Sequence, residues 1–411
     1  MLVAPSTSNS DKTFTSTPAD NLSRGTNYKL QITTSAKDTS SNSLTDNYTT
    51  TNGFTTYGTG TIKGTVRYDN NTGADNVSVS FAKSGTFADN TTTADNGTYT
   101  QDNLSLGTYT ISFTKSGFND ASMSATLATD NQTVNANVTL LANTCSAGTV
   151  SGKITNAVTS ANIDNASINA RSGLNVTSGS TTGTTTTVTN GTYTLSSMSA
   201  GGYTVEVSKS GYITTYFNVN VCGNLTLQDA SMSEELSSGT MRIVLSWPKT
   251  SPVTGDDLDS HLSIPNKDDN GTVHIWYGTN NGGQFNDYYV YGANDNVTLD
   301  KDHNVDSASP SPPGDETITI TKVRSGTYSY SVHNYTERAR STSSPADNLS
   351  KSNAKVEVIY NKEGTLVRKI FYAPSDNGTL WGVFTFDNSG SGDGFTRVDN
   401  MSYEATNSNI Y

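Results

Sequence analysis

Apolar and polar residues alternate with a period of two along much of the chain. Residues 107–114 read GTYTISFT, which puts Tyr109, Ile111 and Phe113 on one face of a strand, and residues 201–208 read GGYTVEVS, which does the same for Tyr203, Val205 and Val207. Residues 241–247, MRIVLSW, are apolar almost throughout and predict a buried strand. Asn-Gly pairs at 96–97 and 190–191 mark turns before the Tyr99 and Tyr193 strands. Helix formers are scarce, and the first glutamate is Glu206. Thr, Val, Tyr, Ile and Phe carry the order, so the chain is expected to be all-β.

A length of 411 residues suits three or four domains. Charged residues are 15% of the chain, against roughly 25% in an average soluble protein. The net charge of −12 argues against a nucleic-acid partner, which would call for a basic stripe. No apolar run reaches the ~18 residues of a membrane-crossing helix. The opening MLVAPSTSNS has neither a basic region nor an apolar run like those of a signal peptide. A secreted protein would then have had its signal removed, or the chain would be a piece of a longer one.

The chain repeats itself. Residues 96–118, NGTYTQDNLSLGTYTISFTKSGF, align without a gap to residues 190–212, NGTYTLSSMSAGGYTVEVSKSGY, with 12 of 23 positions identical. The lead-ins also correspond, TIKGTV at 61–66 with VSGKI at 150–154, and ADNVSVS at 74–80 with IDNASINA at 163–170. A repeat of this kind is one supersecondary unit used twice. Its order of elements resembles the carboxypeptidase-regulatory-like domain, a transthyretin-like sandwich, over residues 58–142 and 143–230. In that family such units are stalks, spacers and adhesive modules, and some close a Lys–Asn isopeptide bond. Lys63 and Lys153 do not occupy equivalent places in the two repeats, so no such bond is expected. The two cysteines, Cys145 and Cys222, flank the second repeat. They are expected to form a disulfide, which implies an oxidising compartment; two buried free thiols are the alternative.

Residues 1–57 differ. Tyr28, Ile32, Lys37, Asp38, Leu44 and Phe54 to Thr56 fill the places of a pattern that resembles the second half of a bacterial Ig-like domain. The first half would need about 40 further residues upstream, given the ~100 residues of such a sandwich. A half sandwich has open edges and an uncovered apolar face, so either the chain is a piece of a longer one or something else supplies the missing strands, as a neighbouring subunit could by strand addition.

After a linker at 231–238, residues 239–411 change character. L-S-W at 245–247, DLDSHL at 257–262, HIWYG at 274–278, LDKDH at 299–303, GDETITI at 314–320 and GTYSYSV at 326–332 resemble the YfaP-like family of secreted bacterial domains. His303 and Gly314-Asp315-Glu316 depart from the family pattern. The resemblance implies a fold and a secreted location rather than an activity. The fold expected overall is thus tandem β-sandwiches, Ig-like and transthyretin-like, followed by a larger β-rich C-terminal domain.

All four histidines, His261, His274, His303 and His333, lie in this last region. Asp257, Asp259 and His261 sit at i, i+2 and i+4, so a strand there would turn all three to one face. Asp300, Asp302 and Glu316 are the carboxylates that could converge with them. Such an acidic set suits Ca²⁺, the ion expected first, and imidazoles with carboxylates suit Zn²⁺. The alternative is an acidic, turn-rich surface with its histidines satisfied by hydrogen bonds.

Asp-Asn occurs 15 times, against about three expected by chance from 29 Asp and 43 Asn. In 14 cases a Ser or Thr follows two places on, at Asn21, Asn47, Asn70, Asn76, Asn90, Asn96, Asn103, Asn131, Asn165, Asn270, Asn296, Asn348, Asn377 and Asn400. Both Asp and Asn favour turns, but N-x-[ST] is also the acceptor for N-linked glycans, and glycans at several of these sites are expected. The competing reading is repeated drift of a favoured turn-to-strand sequence.

G-x-S-x-G, H-E-x-x-H and P-loop motifs are all missing, and no enzyme is expected. The functional expectation is a secreted structural subunit of an extracellular filament, pilus-like fibre or surface layer, polymerised through edge strands. The alternative is a monomeric adhesin or carbohydrate-binding protein, with a stalk at 58–230 and a binding head at 239–411. There Trp276, Tyr277, Tyr288, Tyr289 and Tyr291 would either stack on sugars or pack as ordinary strand core.

Overall fold

The computed structural model describes residues 6–8, 13–18, 22–23, 26–247, 257–268, 270–278, 287–303, 314–389 and 393–410. The chain is all-β. Among the described residues its only helical turns are Asn348–Lys351 and a 3₁₀ turn at Asn407–Asn409.

The two repeats have the same topology. In the first, Thr59–Tyr68 pairs antiparallel with Thr98–Ser105 and parallel with Thr133–Asn135 and Val138–Leu140. This sheet packs on a four-stranded one in the order Ala121–Leu127, Gly107–Thr114, Ser78–Lys83, Thr86–Thr92. In the second, Gly148–Asn156 lies between Thr192–Met198 and the parallel Ala230–Met232, against Gly183–Thr186, Ser167–Ser172, Gly201–Ser208 and Thr215–Val221. The alternating residues named above form the cores: Ile111 and Phe113 are fully buried in one, Val205 and Val207 in the other. Ala230–Met232 crosses the boundary expected at 230–231 and completes the second sandwich.

The repeated residues hold equivalent contacts. Tyr99 lies opposite Gly64 and donates its hydroxyl to the Ala136 carbonyl at 2.6 Å, and Tyr193 lies opposite Gly152 and donates to the Gln228 carbonyl at 2.6 Å. Both glycines are sites of close approach: a Cβ on Gly64 would stand 2.2 Å from the Ala136 oxygen, and one on Gly152 2.1 Å from the Gln228 oxygen. Lys115 and Lys209, each the first residue of a K-S-G turn, donate to the Asp75 and Asp164 carbonyls and pair with the same residues' carboxylates.

Cys145 and Cys222 form a disulfide with Cα atoms 4.7 Å apart. It ties the approach to the first strand of the second sandwich to the end of Thr215–Val221, beside the Gly223 to Ser146 backbone hydrogen bond of 2.8 Å.

The described residues of 239–410 form the largest sandwich. Six strands run in the order Tyr288–Gly292, Asp295–Lys301, Gly314–Ile320, Met241–Trp247, Lys355–Lys362, Thr365–Tyr372. Five face them in the order Thr272–Ile275, Leu258–Pro265, Thr327–Asn334, Leu380–Asp387, Phe395–Ser402. Ile243, Leu245, Leu262, Ile318, Tyr330 and Phe384 fill the space between the sheets.

The sandwiches touch one another. Leu174 of the second enters the core of the first and exchanges backbone hydrogen bonds of 2.8 Å with Ser122 and Ser124. Glu357 of the third is buried against the second: it accepts from the Thr215 hydroxyl at 3.1 Å and pairs with Lys355 at 3.2 Å and Arg368 at 2.6 Å. Asn137 of the first donates to the Ala373 carbonyl of the third at 3.4 Å.

Residues 26–57 form two ladders of two residues each, Asn27–Tyr28 with Phe54–Thr55 and Gln31–Ile32 with Tyr48–Thr49. Leu30, Ile32, Leu44, Tyr48 and Phe54 are all exposed.

Candidate functional site

Leu258–Pro265 is buried along its whole length, on both faces. Leu258, Leu262 and Ile264 point into the sandwich, so Asp259, His261 and Ser263 point to the other face. Register then sets the neighbours. Asp259 lies opposite His333, and Ser263 opposite His274. Opposed residues and those two places along share a face, which brings Asp259, His261, His274 and His333 together.

Residues 403–410 help to close this face. His333 Nε2 bonds the Glu404 carbonyl at 2.9 Å, and Asn407 bonds the Tyr277 hydroxyl. His261 Nδ1 meets His274 Nε2 at 2.8 Å, and both rings stack on Trp276, with centroids 5.7 and 5.5 Å away.

Glu316 comes from the facing sheet. Its Oε2 accepts from the Ser260 backbone N–H at 2.6 Å. One side-chain nitrogen or carboxylate oxygen from each of Asp259, His261 and His333 lies within 4.8 Å of the others, and the same holds for Asp259, Asp302 and Glu316, so either set could hold a metal ion. Asp259 therefore belongs to an imidazole-rich set and to an all-carboxylate set.

Burial dominates the electrostatics. It raises the Asp259 carboxyl well above its ordinary value, and Asp257 and Asp302 add to the effect. It raises Glu316 in the same way, helped by Asp259 and Asp302. Burial lowers His261 well below the usual imidazole value, with His274 and His333 adding to it, lowers His274 to about 4, and lowers His333. Among the described residues no cation pairs with either buried acid.

Of the six residues expected to converge, Asp259, His261, Asp302 and Glu316 do, and Asp257 stands near enough to act on Asp259. Asp300 does not join them. The register shifts between Leu299 and Lys301, and the Asp300 carboxylate bonds the Thr319 side chain and faces Arg242. His303 stands edge-on to Trp247 instead. His333 is absent from the expected set and joins it in the structure; its one signal is its register with Asp259.

Of the aromatics considered for sugar stacking, Trp276 and Tyr291 are buried, Tyr277 and Tyr289 pack against the core, and Tyr288 is exposed. A separate cleft of about 330 Å³ opens where the three sandwiches meet, lined by Arg67, Lys153, Asp229, Lys301 and Asp315 among others.

Eleven acceptor asparagines, Asn47, Asn70, Asn76, Asn90, Asn96, Asn103, Asn131, Asn165, Asn270, Asn377 and Asn400, are exposed, and Asn296 and Asn348 are half-buried. Asn21 lies outside the described residues. Asn76, Asn103, Asn131 and Asn165 have positive φ, as turn residues do. The hydroxyl two places on also has a structural partner: Thr72 donates to Asn70 Oδ1 at 2.7 Å and Thr98 to Asn96 Oδ1 at 2.6 Å.

Among the described residues no helix is long and apolar enough to cross a membrane. No curated protein matches the sequence. Among solved structures, the chain is similar to a streptococcal ancillary pilin, at 16% identity over 43% of the chain, with a TM-score of 0.18, and the match spans 62% of that pilin. It is similar to the shaft pilin SpaA of Lactobacillus rhamnosus GG, at 15% identity over 43% of the chain and 98% of the pilin, with a TM-score of 0.18. The Bacillus anthracis TIE protein matches at 12% identity over 83% of this chain and 54% of its own, with a TM-score of 0.20. The family model that matches is the carboxypeptidase regulatory-like domain, and it matches twice: residues 61–141 and 149–233 are two such domains in tandem.

Proposed function

We propose that this chain is a non-enzymatic, secreted structural subunit of an extracellular filament, pilus-like fibre or surface layer, completed by strands from a neighbouring copy. The observation that carries the reading is the uncovered apolar row at residues 26–57. Leu30, Ile32, Tyr48 and Phe54 are each more than two-fifths exposed, on ladders only two residues long. Ladders of that length have no independent stability in water, and strand addition from a second copy would cover the row and pair the open edges. The disulfide supports an oxidising compartment. Mutual contact of the three sandwiches favours a compact subunit over a free stalk. N-linked glycans on the exposed Asp-Asn turns belong to the same proposal.

Electron microscopy of the protein isolated from its native source tests it. Regular polymers in which cross-links join residues 26–57 of one copy to another are expected. Dispersed monomers, with those residues covered by strands of their own chain, would refute the assembly and favour the adhesin.

A further inference from the structure

We propose that Asp259, His261 and His333 bind one divalent transition-metal ion of the zinc class. The first ground is the set of atoms left without partners. Asp259 Oδ2, His261 Nε2 and His333 Nδ1 make no hydrogen bond, and their residues are 3%, 1% and 0% exposed. Buried polar atoms are nearly always paired, and here three unpaired ones belong to residues that gather in one place.

The second ground is how the other ring atoms are engaged. The Glu404 carbonyl can only accept, so His333 Nε2 carries the hydrogen, and in a neutral ring Nδ1 then presents a bare lone pair. His261 Nδ1 meets His274 Nε2, and in the tautomer in which Nδ1 donates, His261 Nε2 presents a lone pair as well. Metal-binding histidines show this arrangement, one nitrogen fixed from behind while the other faces the ion. Among the described residues no donor meets these lone pairs or Asp259 Oδ2, and a metal ion between them would satisfy them all.

The third ground is the donor set. Calcium takes six to eight oxygens and does not favour imidazole, whereas two imidazoles and a carboxylate suit zinc and its neighbours. Ligands at about 2.1 Å from one ion lie at most ~4.2 Å apart. The ligating atoms lie within 4.8 Å of one another, so one ion between them has to draw the farthest pair together by at most ~0.6 Å. Asp302 and Glu316, within the same reach of Asp259, offer further oxygens. Enclosure on a sheet face makes this a structural ion, joining two adjacent strands.

The test uses the untagged full chain, stripped with EDTA and titrated with Zn²⁺ alone by calorimetry, with Ca²⁺ in a parallel arm. One Zn²⁺ per chain is expected, and H261Q and H333Q should each weaken it at least tenfold. X-ray absorption of the zinc-loaded chain should show two imidazoles. It also decides the matter if a variant fails to fold. No zinc binding, retention of affinity by both histidine variants, a spectrum without imidazole, or calcium binding in place of zinc would each overturn the proposal.

Discussion

Removing the disulfide should loosen the second sandwich and leave the first largely intact. Cys145 and Cys222 are 77 residues apart, and the bond closes nearly the whole domain into one loop. Chain entropy puts the stabilisation from a loop of that length at about 4.5 kcal/mol, and measured losses for native disulfides run about 2–5 kcal/mol. The unbonded domain still has the Gly223 to Ser146 and Leu225 to Thr149 backbone hydrogen bonds beside the missing link. A loss of about 3 kcal/mol is therefore expected, equivalent to a fall of roughly 12–24 °C in melting temperature for a domain of this size. The double variant Cys145→Ser with Cys222→Ser avoids leaving a lone reactive thiol. Because the chain has several domains, a single melting curve is not a two-state measurement, and hydrogen exchange read by mass spectrometry should locate the change. Faster exchange is expected across 148–232, with 59–140 altered only near its contact with Leu174. Unchanged exchange in 148–232, or equal loosening of both repeats, would refute the argument that the bond acts on the second sandwich alone.

Glu357→Gln should cost about 3 kcal/mol, because it leaves Lys355 and Arg368 without their buried partner. Proteolysis should then open the junction at Thr215–Val221 first. Burial opposes the charge on Glu357, but Lys355 and Arg368 outweigh it and hold the carboxyl below its ordinary value. A depressed value stabilises the fold above the unfolded glutamate range of about 4.3, and this contribution is lost as pH falls through the folded value. Acid melting curves should show that loss in the wild type and not in Glu357→Gln. Gly64→Ala should destabilise the first sandwich by about 3 kcal/mol, since the new methyl collides with backbone. Gly85→Ala, at φ +77° with open space around it, should cost only about 1 kcal/mol in the same denaturation assay. The intact mass of the natively produced chain should exceed 43.5 kDa by whole glycans; a mass with no excess would confine the Asp-Asn motifs to turn formation.

Much of the fold was legible because a period of two reports which residues share a face. Tyr109, Ile111 and Phe113 needed nothing further, and the Asp259–His261 pair followed in the same way. Register between strands distant in sequence is a different kind of information, set by packing and turn geometry. It brought His333 to Asp259 from 74 positions away, where alternation could show only that His333 faced one way or the other. A bulge worked in the opposite direction. Asp300 and Asp302 share a face in a regular strand, and the shift after Leu299 parted them. The largest departure concerns what lies over the site. Leu258–Pro265 reads as a strand with one apolar and one polar face, and the polar face would ordinarily meet water. Residues 403–410, YEATNSNI, have no periodicity to mark them as a cover, yet Glu404 and Asn407 hold them against His333 and Tyr277. An acidic surface patch and a buried carboxylate–imidazole cluster therefore have the same local sequence. The enclosure that turns one into the other comes from a segment some 140 residues further along the chain.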